Sequence, residues 1–387
     1  MSAEIVVDPD YYTLDKAVAA DDDWKSTTGG MLRLLLNQSF ASDTTSLASE
    51  VARGRLENGR RRVYHAKRSI HAVGLTRLCR YQSLKSEEYW SPSDDQQFEA
   101  YETGHLVALL LEYHQPKLLH RAPLKKPKNI LDVGTGKGNW AIDMADAYPD
   151  ATVRGVDLSP PPVTWMPPNC VFELDDLLQE WTWSEPFDFI YLRHMLGSFD
   201  EEGWNTLYKR CYNNLEPGGW IEEFELDIRV KTDDNSLPED SELAKWGENF
   251  MGCSERAGRA LTVQETMRSK IEKAGFIDVH EQVYKVPIGP WPKDRVYKEV
   301  GQLNYHHWVT GMEGYAMWLL TKFGAPTPWT VEEVQVYLAK VRADLKNPSI
   351  HGWHYGRKVW ARKPRAGEVK EVKEESVEAP VTPEPSP

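Results

Sequence analysis

The sequence predicts an α/β fold in which helices cover both faces of a mostly parallel sheet that carries an antiparallel strand at one edge. Three observations carry that prediction. From Asn129 onward, short apolar runs alternate with amphipathic stretches, the pattern that parallel strands with helical crossovers require. A glycine cluster, Gly134-Thr135-Gly136-Lys137-Gly138, joins the first run to the first amphipathic stretch. Two later apolar runs, 279–286 and 355–361, follow the alternating set and imply the antiparallel edge.

The elements follow in chain order. Residues 1–55 are acidic, then rich in Ser and Thr, and read as a flexible N-terminal region. Residues 56–128 read as a helical N-terminal segment. Its run 60–80 is basic, with aromatic and apolar positions interleaved, and predicts an amphipathic helix packed on the domain. A nuclear-import or acidic-partner patch is the sharper alternative. Ser93 and Gln96 have capping-box spacing and start a helix that runs to about Tyr113, after which Pro116, Pro123 and Pro127 make a linker.

The main domain spans 129–364. Strands are expected at 129–133, 152–156, 171–174, 187–192 and 220–226. Before the fifth, Trp204, Leu207, Tyr208, Cys211 and Leu215 recur on one helical face, and Pro217-Gly218-Gly219 turns into the strand. Thr262 and Glu265 have capping-box spacing for a helix that Gly275 stops. Thr330 and Glu333 cap another, within a helical insert at 296–348 between the last two strands. Residues 365–387, mostly Glu, Lys and Pro, read as a disordered tail.

Composition narrows the function classes. The chain has 387 residues, 41% of them hydrophobic, enough for one large domain with extensions. A formal net charge of −13 argues against broad electrostatic capture of nucleic acid or an anionic membrane, so neither is expected as a direct partner. Cys79, Cys170, Cys211 and Cys253 form no CxxC pair and read as thiols in a reducing compartment, with no metal site. No run approaches the roughly 20 apolar residues of a membrane span. A cytoplasmic or nuclear protein is expected.

The glycine loop lets the chain turn sharply and lets a ligand lie against bare backbone near helix N-terminal amides. Spacing narrows the ligand. A phosphate-binding loop needs GxxxxGK[ST], and position 138 is glycine where the hydroxyl should be. The dinucleotide fingerprint needs GxGxxG, and position 139 is Asn139. What remains is Asp132-x-Gly134-x-Gly136-x-Gly138. Asp157 ends the next strand, where a carboxylate can accept both ribose hydroxyls of an adenosyl group. Asp175-Asp176 follow the third strand, where one carboxylate can accept from an adenine amino group.

At these positions the chain resembles class I S-adenosylmethionine (SAM)-dependent methyltransferases. The resemblance lies in ILDVGTGKGNWAIDMAD from Ile130, VDLSP from Val156 and LEPGGWIE from Leu215. More narrowly it resembles the LaeA-like fungal methyltransferases, which include regulators of secondary metabolism and pathway enzymes. Glu57-Asn58-Gly59-Arg60, Tyr89-Trp90 with Asp94-Asp95, VFELDD from Val171 and NPSIH from Asn347 carry that narrower match, across roughly 57–364. Two departures stand out: 66–86 looks like an insertion, and Lys137 sits where a small residue is more usual.

The resemblance implies a Rossmann-like fold with a seven-stranded sheet and SAM as cofactor. Asp132, Gly134, Gly136 and Gly138 would line its methionine and ribose portion. Asp157 would hold the ribose, and Asp176 with the Leu177 amide the adenine. The methyl acceptor would be a small molecule, such as a secondary metabolite, or a protein. The alternative is a nuclear regulatory protein acting through protein partners.

Methyl transfer from a sulfonium needs alignment more than a base. His194, after the fourth strand, is the candidate base, against the plainer reading of a histidine satisfied by backbone. Glu222, Glu223 and Glu225 lie on an otherwise apolar strand, and alternation puts Glu223 and Glu225 on one face. Glu223 is the candidate catalytic carboxylate, against the reading of an exposed strand end. Trp90, Arg193, Tyr305 and Trp308 are the candidate substrate pocket, an aromatic lining suited to a planar or apolar acceptor. His306-His307 is not read as a metal pair, because neighbours on a helix do not face each other.

Overall fold

A computed structural model of the chain describes residues 5–9, 55–57, 60–62, 80–81, 90–259 and 261–368. Most of the N-terminal region, the centre of the basic run, the insertion at 66–86 apart from 80–81, and all but the start of the tail lie outside the described residues.

The described parts of the basic run are extended. Strands β1 (Arg55–Glu57), β2 (Arg60–Arg62) and β3 (Arg80–Tyr81) form a small sheet, with β1 antiparallel to β2 and β3 parallel to it. The helical reading of 60–80 is corrected at these residues. The Asn58-Gly59 dipeptide, a strong hairpin signal, stood in the sequence between β1 and β2.

The main sheet has seven strands in the order β6-β5-β4-β7-β8-β10-β9. Strands β4 (Asn129–Val133), β5 (Thr152–Asp157), β6 (Cys170–Leu174), β7 (Phe187–Arg193) and β8 (Leu215–Leu226) run parallel. Strand β10 (Trp353–Arg362) pairs antiparallel with both β8 and β9 (Ile277–Pro287). This is the expected α/β fold with its antiparallel edge. Pro217-Gly218-Gly219 lies within β8 as an irregularity of pairing, since Phe187 faces Leu215 while Phe189 faces Trp220.

Helices α1 (Asp95–Leu111), α2 (Asn139–Ala147), α3 (Glu201–Asn214), α4 (Glu242–Ala257), α5 (Val263–Lys273), α6 (Arg295–Phe323) and α7 (Val331–Lys346) complete the described architecture. One face of the sheet packs Leu131, Ile190 and Leu192 against Leu207 and Cys211 of α3 and Met267 of α5. The other packs Ile130, Phe189 and Tyr191 against α2, whose Trp140 stacks on Tyr191 with ring centroids 4.0 Å apart. A separate core under the insert joins α4, α6 and α7 through Trp246, Phe250, Trp308 and Leu338. Among the described tryptophans, Trp140 and Trp204 lie in the sheet core and Trp90, Trp246, Trp308 and Trp318 in the core under the insert.

Three helix starts share one capping rule with different outcomes. Thr330 and Glu333 make the full reciprocal box at α7. At α1 the cap is Asp94, accepting from the Gln97 amide at 2.9 Å, and not Ser93. Thr262 makes no side-chain cap, and its partner Glu265 turns instead to the Arg229 guanidinium. Charge pairing outcompetes the reciprocal box there. Helix α4 went unread, although Ser241 caps it and Leu243, Trp246, Phe250 and Cys253 mark its buried face.

Helix α1 lies along α6, and glycines set the approach. A Cβ on Gly311 would sit 3.3 Å from the Ala100 Cβ, and one on Gly314 would collide with the Gln97 side chain. This contact brings α1 over the C-terminal ends of the parallel strands, where open α/β sheets bind ligands. Thr330→Ala is expected to cost about 1 kcal/mol of stability and Thr262→Ala less than about 0.5 kcal/mol, as read by chemical denaturation.

Candidate functional site

The glycine loop is strapped to the neighbouring strand, with the Gly134 and Thr135 amides donating to the Val156 carbonyl at 2.9 and 3.0 Å. Gly134 has φ +68°, and a side chain there would collide with the Met195 sulfur. Asp132 and Asp157 flank the loop. Asp132 accepts the Thr135 hydroxyl at 2.6 Å. Burial lifts its carboxyl to about 7, against the pull of the Thr135 bond and of Arg193. Asp157 accepts the Gly136 amide at 2.8 Å and the Ser159 amide at 3.1 Å, and burial also raises its pKa.

Beyond β6, Asp176 accepts the Leu178 amide at 3.0 Å and the Gln179 side chain at 3.1 Å. A cavity opens between these groups, lined by Asp132, Gly134, Gly136, Asp157, Asp176 and Leu177. Arg193 and His194 also line it. Gly138 does not; it starts α2 with φ +85° and lies against Phe172, where a Cβ would come within 2.5 Å of the ring. Lys137 leaves the loop free by pairing with Glu102 of α1. Tyr101, Met195, Phe199 and Arg259 also line it and were not read from sequence. Only Tyr101 left a trace there, three residues after Phe98 on one helical face.

A second cavity adjoins the first, walled by Trp90, Trp246, Phe250, Trp308, Met312 and Tyr315. His194 lines both cavities. Its backbone is left-handed, φ +55°, its amide donates to the Phe224 carbonyl at 3.1 Å, and its Nε2 is buried with no hydrogen-bond partner. Burial, with Arg193 and His307 nearby, holds its pKa well below the usual histidine value. The ring is therefore neutral.

Of the four candidate pocket residues, Trp90 and Trp308 line the second cavity and Arg193 the first. Tyr305 lines neither, because it packs half-buried against the core beneath the insert. His306 lies 3.3 Å from Glu99, and among the described residues no cluster suits a metal ion.

The three glutamates of β8 are fully buried, so the exposed strand end does not exist. Glu222 accepts the Arg121 and Ala122 amides at 2.7 and 2.9 Å and lies 3.5 Å from the Lys358 ammonium. Glu225 accepts the Met195 and Leu196 amides at 2.6 and 3.1 Å, which fixes the turn carrying His194, and it lines the second cavity. Glu223 accepts the Tyr208 hydroxyl at 2.7 Å inside the α3 face and lines neither cavity. The catalytic assignment to Glu223 is therefore corrected: same-face alternation holds, but α3 covers its end of the strand.

Known proteins share these sequence features. A family model described as a methyltransferase domain matches residues 107–281. The methyltransferase pytC of Aspergillus terreus is 34% identical over 80% of this chain and 88% of its own length. The secondary metabolism regulator LAE1 of Cochliobolus heterostrophus is 34% identical over 74% of this chain and 93% of its own. The regulator laeA of Aspergillus fumigatus is 30% identical over 74% and 75%. The chain belongs to the LaeA-like family of SAM-dependent methyltransferases. That family holds proteins named as enzymes and proteins named as regulators, so membership leaves the acceptor open.

Glu223 provides a test of the corrected site. Burial raises its carboxyl to about 8, with Tyr208 and Lys270 opposing the shift. The folded state thus keeps the proton where the unfolded chain has lost it. That stabilising contribution is complete below about pH 4.5 and fades as pH rises through about 8. Glu223→Gln keeps an oxygen for Tyr208. Its melting temperature relative to the parent should rise between pH 5 and pH 8, with S-adenosylhomocysteine binding unchanged.

Proposed function

We propose that this methyltransferase acts on a flat, largely apolar small molecule held in the second cavity, with SAM in the first and the reacting atoms meeting at His194. The observation that carries this reading is that His194 lines both cavities. The first cavity fits an adenosyl sulfonium. Asp157 would accept the ribose hydroxyls, Asp176 with the Leu177 amide would hold the adenine, and Asp132, Gly134 and Gly136 would line the remainder. Gly138 shapes the loop from behind. Bound there, the cofactor supplies a methyl group on a positively charged sulfur.

The chain's own part is to align and to dry the site. Trp90 closes one side, its ring tilted against Tyr315 of α6 with centroids 5.1 Å apart, and Trp308 of the same helix also lines the cavity. Glu225 holds the turn that aims His194. Such positioning accounts for a large share of the acceleration of a bimolecular transfer.

The relatives named as regulators support a second reading, in which the protein acts in the nucleus through protein partners and methyl transfer is secondary. Among the described residues no helix is long and apolar enough to cross a membrane.

Asp157→Ala should weaken S-adenosylhomocysteine binding about a hundredfold in calorimetry, for the loss of two charge-assisted hydrogen bonds. An Asp157→Ala protein that lost this binding yet kept its full cellular effect would leave only the partner reading. His194→Ala should keep cofactor binding within about threefold. With tritiated SAM and a panel of hydroxylated aromatic compounds, its turnover should fall by on the order of a hundredfold.

A further inference from the structure

The polar groups of the second cavity identify its occupant more closely than the aromatic walls do. Most are already answered. Glu225 accepts two backbone amides. Asp227 accepts the Arg229 amide at 2.9 Å and its guanidinium at 2.5 Å. His354 uses both ring nitrogens, donating from Nδ1 to the Asp227 carbonyl at 2.7 Å and accepting from the Asn304 amide at 2.8 Å. None of the described residues lining this cavity is lysine or arginine.

Two imidazole nitrogens and the Trp90 indole N–H are left over, the last a buried donor that a bound oxygen can answer. His307 donates from Nδ1 to the Ala100 carbonyl at 2.7 Å, so its Nε2 carries the lone pair. The Nε2 of His194 is buried without a partner. The two rings lie 5.9 Å apart, centroid to centroid, and both line the second cavity. Burial keeps both neutral. The space beside them is built by the chain: a Cβ on Gly104 of α1 would come within 3.0 Å of His194 and 3.3 Å of His307.

An acceptor nitrogen on the wall of a largely apolar cavity needs a donor from whatever occupant shuts it off from water, and an occupant without one loses that hydrogen bond. We infer that the methyl acceptor is an uncharged flat compound whose phenolic or enolic hydroxyl donates to Nε2 of His307 beside His194, and that the product is a methyl ether. This rests on the proposed transfer between the two cavities. An ammonium would need a free carboxylate, and both carboxylates here are engaged. A carboxylate acceptor would need a cation that this cavity lacks. The step balances: the oxygen gains the methyl group, and the methyl–sulfur bond breaks with its electron pair left on sulfur. The hydroxyl proton passes to Nε2 of His307, leaving S-adenosylhomocysteine.

Trp90, Trp246 and Trp308 in the wall give a binding signal independent of turnover. Tryptophan fluorescence of the full chain, saturated with S-adenosylhomocysteine, is titrated with 2-naphthol, 2-methoxynaphthalene, 2-naphthoate and 2-(aminomethyl)naphthalene. The naphthol should bind about tenfold more tightly than any of the other three, the size of one buried hydrogen bond. His307→Phe should erase that preference while keeping the affinity for 2-methoxynaphthalene. His307→Gln, which retains an accepting oxygen, should restore part of it. Equal binding of naphthol and its methyl ether by the parent protein, or tighter binding of the amine or the carboxylate, overturns the assignment. That comparison decides even if the variants do not fold. Failure of S-adenosylhomocysteine to bind would instead overturn the methyl-transfer reading itself.

Discussion

Three carboxylates at the centre of a buried strand impose the main constraint on this molecule. Glu222, Glu223 and Glu225 lie on β8 with no access to water, and an unanswered carboxylate there would be prohibitively costly. Each is answered by a different part of the chain. Glu222 takes the amides that lead into β4, Glu223 takes Tyr208 of α3, and Glu225 takes the amides after His194. The strand thereby ties the approach to β4, a packing helix and the turn carrying His194 to one register. A polar group that stabilises little in net terms can still fix which arrangement forms.

The consequence reaches the site through Glu225. The turn after β7 carries a left-handed histidine, a conformation that is costly for a side chain with a Cβ. It persists because two of its following amides are held by a buried carboxylate and its own amide by Phe224. Helix α1 then closes on α6 across small residues, and Gly104 leaves room for His194 and His307 together. The same packing that excludes water also produces two neutral imidazoles, because burial disfavours their charged form.

The glycine loop shows a different economy. Asp157 holds the Gly136 amide with one oxygen and Ser159 with the other, so the loop is shaped by the carboxylate placed to meet a ligand. Lys137, unusual at its position, is removed from the cavity by Glu102. The pairing turns an apparent departure from the family into another tie between the loop and α1.

Local features were legible in the sequence. The alternation of strands and helices, the Asp-Gly-Gly-Gly spacing and the acids at strand ends are short-range patterns set by backbone geometry. They identified the fold, and Asp157, Asp176 and His194 line one cavity where strand ends place them. Glu223 was misread because alternation specifies a face but not what covers it. Tyr305 was misread because composition marks an aromatic-rich insert without specifying which side of α6 looks inward. The capping pattern at Thr262 failed when Arg229, 36 residues from Glu265, offered the carboxylate a better partner. What the sequence by itself determined was the sheet, the glycine loop and the acids beside it, since these follow from periodicity and spacing along one stretch of chain. Only the tertiary structure decided the aromatic-walled second cavity and its paired histidines, because they arise where α1, β7, β8 and α6, far apart in the chain, are packed into contact.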